Sequence, residues 1–186
     1  MSLLGRLLRN RRAGETHMAW NMPHLQGPAS LTLTSRNFGD GGPMPLEQCA
    51  KTIRGADLSP HLAWTAPPSG TALLLLVVED IDVPMARPAV HCLALIDPAA
   101  GHLGPGALGV RQPAPGVRLL RSTIGRGYHG PAPIKGHGPH RYTFQLFALA
   151  APVDLPEPER ARPRAFLPAV TAPVLARGRL TGVYER

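Results

Sequence analysis

Apolar positions along this chain fall into two patterns, and the contrast between them predicts its elements. The run ALLLLVV at 72–78 is continuously apolar and of strand length, as expected for a strand buried on both faces. AVHCLALI at 89–96 repeats that character after only a few residues. RYTFQLFAL at 141–149 alternates instead, with Tyr142, Phe144, Leu146 and Ala148 on one face and Thr143, Gln145 and Phe147 on the other. VLARGRLTGVYE at 174–185 alternates again and reads as a closing strand, while LTLTS at 31–35 and a short segment at 62–65 read as further strands. Near the start, Leu3, Leu4, Leu7 and Leu8 recur at helical spacing with Arg6, Arg9 and Arg12 mostly opposite, which predicts an amphipathic helix over 2–12. A helix this short is not stable alone, so it is expected to fray or to dock on its own domain. A second short helix is predicted over 164–169.

Between these elements, 97–118 reads as a long irregular excursion, 119–139 as mostly loop and 152–163 as a Pro-rich connector. The 22 Pro and 20 Gly argue against extensive helix, and 44% apolar residues still suffice for a packed core. No internal repeat and no domain boundary stands out, and 186 residues make one domain. Strands joined by punctuated loops predict a mainly β, single-domain sandwich with few short helices.

Charge and cysteine content change the picture only a little. The net charge of +8 is almost all arginine and much of it is terminal, so it favours anionic partners without choosing one. No nucleic-acid-binding motif is present. The arm at 2–12 has the composition of a segment that makes weak contact with an anionic membrane surface. Cys49 and Cys92 are too few for a metal cluster or a disulfide framework. A single bridge stays open, but two free, partly buried thiols in a reducing cytoplasm are expected. SLLGRLLRNRRAG has no apolar stretch of the kind a secretory signal needs, and no run is long enough to span a bilayer. The expectation is a cytoplasmic protein.

Three clusters carry ionisable groups at strand ends. EDIDVP at 79–84 follows the buried strand, and its Asp-x-Asp spacing in extended chain would point Asp80 and Asp82 to one side, each raising the other's pKa if they are close. His91 lies just inside the next strand, where a core histidine and a ligand-facing one are both open readings. PIKGHGPHRYTF at 133–144 places His137, His140 and Arg141 among prolines and glycines ahead of an alternating strand. A strand ending in Asp-x-Asp also begins the phosphohydrolases of the haloacid dehalogenase type, with an Asp nucleophile and an Asp acid/base. That architecture needs crossover helices, and the strand at 89–96 comes too soon after Pro84 to allow one. A zinc or manganese site built from Asp80, Asp82, His91 and His140 stays open.

DLSPHLAW, LLLLVVEDIDVP, VHCLALIDP and GRGYHGPAPIKGHGPHRYTFQLFAL, in that order, resemble the phosphatidylethanolamine-binding protein family, and in particular its bacterial branch related to Raf kinase inhibitor protein. The resemblance runs from about Thr32 to the end and leaves a basic arm at 1–28 outside a domain at 29–186. It implies a large antiparallel sheet packed on a smaller one, and a small pocket for phosphoryl or other anionic groups. Carried over by position, Asp80, Asp82, Pro84, His91, Pro133, His140 and Tyr142 would line that pocket. The two histidines would donate to the anion, the two aspartates would orient them, and Arg141 would support the site from the adjacent face. Ile81, Ile134 and Ile96 stand where the family usually has Pro, Pro and Asn, changes expected to reshape the rim. The leading functional expectation is a non-catalytic binding protein needing no cofactor. A kinase- or protease-inhibiting interaction module and a phosphate-ester hydrolase using the Asp/His set are the alternatives. A protein partner and a homodimer both stay open.

Overall fold

The structure is a computed structural model that describes residues 3–186. Its centre is a six-stranded sheet in the order β2-β9-β8-β4-β5-β7. These strands are β2 (Gly42–Pro43), β4 (Leu73–Asp80), β5 (Ala89–Ile96), β7 (Val117–Leu119), β8 (His140–Leu149) and β9 (Val174–Tyr184). A three-stranded sheet, β1 (Leu33–Thr34), β3 (Leu62–Trp64) and β6 (His102–Leu103), packs over one face. The expected pair of sheets is therefore present.

Apolar patterning explains the strand order. β4 sits between β5 and β8 and is covered on both faces, so it can be apolar throughout. Leu74, Leu76 and Val78 join Phe144, Leu146 and the small sheet in an inner core. Leu75 and Val77 face a second core with Phe147, Ala19, Leu25 and Phe166. Both cysteines are free and buried, and burial pushes their thiols up to about 11 for Cys49 and about 12 for Cys92.

Three features depart from the sequence reading. β2 pairs parallel to β9, whereas the expectation was an antiparallel sheet. Its Pro43 is tolerated because β2 is an edge strand, and Gly182 allows the approach, since a Cβ there would overlap the Met44 side chain. The loops at 97–118 and 119–139 contain β6 and the paired part of β7, each too short to show a period. The N-terminal helix α1 (Leu3–Leu8) docks through Gly5 rather than through its leucines. Ser2, where the helix was expected to begin, lies outside the described residues.

Residues after α1 are bound into the body. Ala19 and Leu25 are fully buried in short 3-10 turns. The Arg177 guanidinium lies 4.0 Å from the centre of the Trp20 ring and donates to the Trp20 carbonyl at 2.7 Å. The second predicted helix is a short turn, α2 (Pro163–Phe166), continued as 3-10 through Ala169. Among the described residues, no helix is long and apolar enough to cross a membrane.

Candidate functional site

The site forms where β4, β5 and β8 end together. Asp80 is the last residue of β4 and pairs in register with Tyr142 on β8. The two-residue period of β8 then puts His140 on the same face as Tyr142. His91 reaches that face by another route. The register of β4 and β5 shifts between Val78 and Glu79, so Val78 pairs with Cys92, Glu79 pairs with Val90, and His91 is the extra residue. A bulge re-aims a side chain in this way, and the His91 ring stands edge-on to Tyr142 at 5.1 Å between centroids.

Asp80 and Asp82 do not act as a pair. The strand ends at Asp80, whose Oδ1 accepts from the Asp82 amide at 2.9 Å, and the chain turns there. The expectation that both carboxylates point to one side fails for this reason. Asp80 Oδ2 lies 2.7 Å from His140 Nδ1. Asp82 instead accepts from Arg141 Nε and a terminal guanidinium nitrogen at 2.8 and 2.9 Å, from the Arg141 amide at 2.8 Å, and from Arg12 at 2.9 Å. Burial alone would raise the Asp82 carboxyl, but the hydrogen bonds from Arg141 and Arg12 outweigh it and bring it down to about 2.

That shift has a sign and a window. The folded value of about 2 lies below the ordinary 3.8, so the ion pairs contribute fully above that value and fade as pH falls toward 2. Both arginines keep contact with solvent, which reduces the contribution to about 1–2 kcal/mol. Asp82→Asn is expected to flatten that part of the profile, measured by urea unfolding between about pH 2 and pH 6. A profile unchanged by the substitution would contradict the assignment.

His137 was named in the sequence cluster but not assigned to the pocket, and the structure makes it central. His137 Nδ1 meets His140 Nε2 at 2.7 Å, and His137 Nε2 donates to the carbonyls of Leu8 at 2.8 Å and Arg11 at 3.1 Å. Proton counting follows from these partners. The contact with carbonyl oxygens requires a proton on His137 Nε2, the contact with Asp80 requires one at His140 Nδ1, and the ring-to-ring contact requires a third. The Asp80–His140–His137 chain is thus held together by three protons. Both ring nitrogens of His140 are committed, and among the described residues no group of three or more His, Cys, Asp or Glu is arranged to hold a metal ion.

The remaining residues have distinct settings. His91 Nδ1 donates to the His129 carbonyl at 2.7 Å, and burial holds its pKa below the ordinary range despite nearby Asp80. Neutral His91 therefore presents an acceptor at Nε2, and donates there only when protonated. The Tyr142 hydroxyl is buried and makes no hydrogen bond of full geometry, its polar neighbour being the Asp80 carboxylate, and burial together with that carboxylate pushes its ionisation far up. Pro133 is buried and Pro84 half-buried in the flanking loops. Of the three family departures, Ile96 pairs with Leu74 at the opposite end of β5 and belongs to the inner core, away from the rim.

The N-terminal arm lies across this site. Ala13 and Gly14 donate to the carbonyls of Val83 and Ile81 at 2.9 and 2.8 Å, and Arg12 donates to Pro139 at 2.8 Å. A Cβ on Gly5 would overlap the Lys135 carbonyl, so only glycine lets α1 sit so close. Asp80, His140 and Tyr142 are consequently at most 4% exposed. Nothing in the local sequence pairs Arg12 with Asp82; only His137 had a signal, its spacing from His140 in GHGPH.

Comparison with known proteins gives a consistent result. The family described as phosphatidylethanolamine-binding protein matches residues 34–185. A UPF0098 protein of Aquifex aeolicus is 30% identical over 161 residues, covering 86% of this chain and 91% of that one. The UPF0098 protein Rv1910c of Mycobacterium tuberculosis is 37% identical over 132 residues, covering 70% of this chain and 60% of its own length. LppC of the same organism, whose name describes a lipoprotein, is 35% identical over 156 residues, covering 83% of this chain and 72% of its own. This chain thus spans about 60% of the length of the first curated relatives it matches. Among solved structures, Escherichia coli YbcL, titled a new member of the mammalian PEBP family, aligns with TM-score 0.73 at 27% identity, over 85% of this chain and 99% of that one.

Proposed function

The chain belongs to the phosphatidylethanolamine-binding protein family, and from that premise we propose that it is a non-catalytic binding protein whose pocket takes a small phosphoryl or carboxylate group beneath the N-terminal arm. The observation that carries this reading is the Tyr142 hydroxyl, a buried donor beside His91 and His140 that makes no hydrogen bond of full geometry and has the already engaged Asp80 carboxylate as its polar neighbour. Leaving such a donor unsatisfied costs about 1–3 kcal/mol, and an oxyanion oxygen would meet it. The histidine pair supports the same reading. His137 Nε2 now donates to two arm carbonyls, and an anion could accept from it in their place.

Catalysis finds no support in the contacts. Both Asp80 oxygens are engaged, as is the whole Asp82 carboxylate, so neither is a poised nucleophile. Two free, buried thiols suit a reducing compartment and support a cytoplasmic location. Leu3, Leu4 and Leu7 project outward on an arginine-rich segment, which supports weak contact with an anionic membrane surface.

Gly5→Leu tests the reading. A larger residue should lift α1 from the Lys135 carbonyl without altering the pocket. The variant is expected to bind phosphoethanolamine at least about tenfold more tightly than the parent in calorimetry, because the competing arm no longer occupies the donors. Adding His140→Gln should reverse the gain. Equal affinity in parent and Gly5→Leu would refute the arm as a cover, and no binding to either would refute the pocket.

A further inference from the structure

We propose that a second cleft, on the opposite face of the large sheet, binds an organic anion carrying a phosphoryl group and a short apolar substituent. The cleft measures about 400 Å³ and lies between the His17–Met22 segment, the turn before β5, the loop at 121–123 and the α2 region. That is within the usual size range of small-molecule pockets. Alternation along β4 separates it from the first site: Asp80 points to His140, while Glu79 points to the other face and lies on the cleft wall.

Four arginines line this one opening: Arg87, Arg121, Arg162 and Arg164. None of their guanidinium groups has an ion pair or hydrogen bond among the described residues, and the nearby acids are engaged elsewhere. Glu159 takes Arg118 at 2.6 Å and Glu157 takes Arg160 at 3.1 Å. Four cations around a concave surface focus a positive potential into it, and a planar guanidinium offers two parallel donors to phosphoryl oxygens. Thr123 Oγ1 accepts from the Val90 amide at 3.0 Å and keeps its own proton to donate. Met22, Met85, Val90 and Leu167 supply the apolar wall, which inorganic phosphate alone would leave uncovered.

Glu79 does not oppose an anion with a full charge. Its Oε2 accepts from the Ala19 amide at 2.8 Å and from Gln145 at 2.7 Å, and burial pushes its carboxyl up to about 7. Near neutrality it is therefore partly protonated.

The test is an NMR titration of the full chain with hexyl phosphate. Saturable shifts are expected at Glu79, Val90, Thr123 and Leu167, with inorganic phosphate binding more weakly. Arg87→Ser combined with Arg121→Ser, both exposed, should weaken hexyl phosphate at least tenfold with the fold intact. Sedimentation with phosphatidic acid vesicles then separates the sources: co-sedimentation lost in the double arginine variant identifies a lipid, and saturable hexyl phosphate binding without co-sedimentation identifies a soluble ligand. Shifts confined to the Asp80, His91 and His140 region, or an affinity indifferent to the two arginine substitutions, would overturn the proposal. The first of those outcomes would leave the Tyr142 pocket standing.

Discussion

Asp80→Ala is expected to destabilise the protein by about 2–4 kcal/mol, the cost of leaving two buried hydrogen-bonding groups unsatisfied at once. Asp80 carries two bonds that nothing else can take over. Its Oδ2 meets His140 Nδ1 at 2.7 Å, and its Oδ1 accepts from the Asp82 amide. Without the carboxylate, His140 Nδ1 is left buried and unpaired, and the turn that aims Asp82 at its arginines loses its anchor. Asp80→Asn should cost about half as much, since the amide oxygen can still accept one of the two bonds. Urea unfolding at neutral pH measures both. A loss of less than about 1 kcal/mol for the alanine variant would show that the His137–His140–Asp80 chain does not hold the site.

Glu79→Gln should act in the opposite direction. Burial raises the Glu79 carboxyl from its ordinary 4.5 to about 7 in the folded protein, while the bonds from Gln145 and Ala19 pull it back only in part. The folded state therefore keeps a proton that the unfolded state releases, so stability falls as pH rises from 4.5 toward 7 and levels off above that. Glutamine can accept from the same two donors and carries no charge. The variant is expected to match the parent near pH 4 and to exceed it by about 2–3 kcal/mol near pH 8. Thermal or urea unfolding across that range checks the prediction, and an offset constant with pH would contradict it.

The sequence showed most clearly those parts of the fold that burial writes into long runs. β4 and β5 are apolar throughout because both faces are covered, and β8 and β9 alternate over enough residues to reveal their period. In the site, the alternation was read only from Arg141 onward, so His140 was grouped with Tyr142 by the family resemblance rather than by the strand period. The position of His91 was not readable, because it depends on a register shift that follows from packing between strands rather than from any local pattern. The separation of Asp80 from Asp82 was missed because extended geometry was carried one residue past the strand end.

Long-range contacts account for the rest. Arg12 and Asp82 are joined only once the arm has folded back, and α1 docks through the missing side chain of Gly5, which leaves no hydrophobic stripe to read. Helical periodicity in the leucines predicted the helix but not its contact face, since Leu3, Leu4 and Leu7 point to solvent. The arginine cleft is similarly dispersed, with Arg87 brought to the opening from the turn before β5 and Arg164 from α2.

The most direct test of the central claim follows the histidine ring signals of the Gly5→Leu protein by NMR during titration with phosphoethanolamine. Saturable shifts at His91, His137 and His140, accompanied by the Tyr142 ring, are the predicted result. Histidine signals that stay fixed up to millimolar ligand, with α1 shown to be undocked, would contradict an anion pocket beneath the arm.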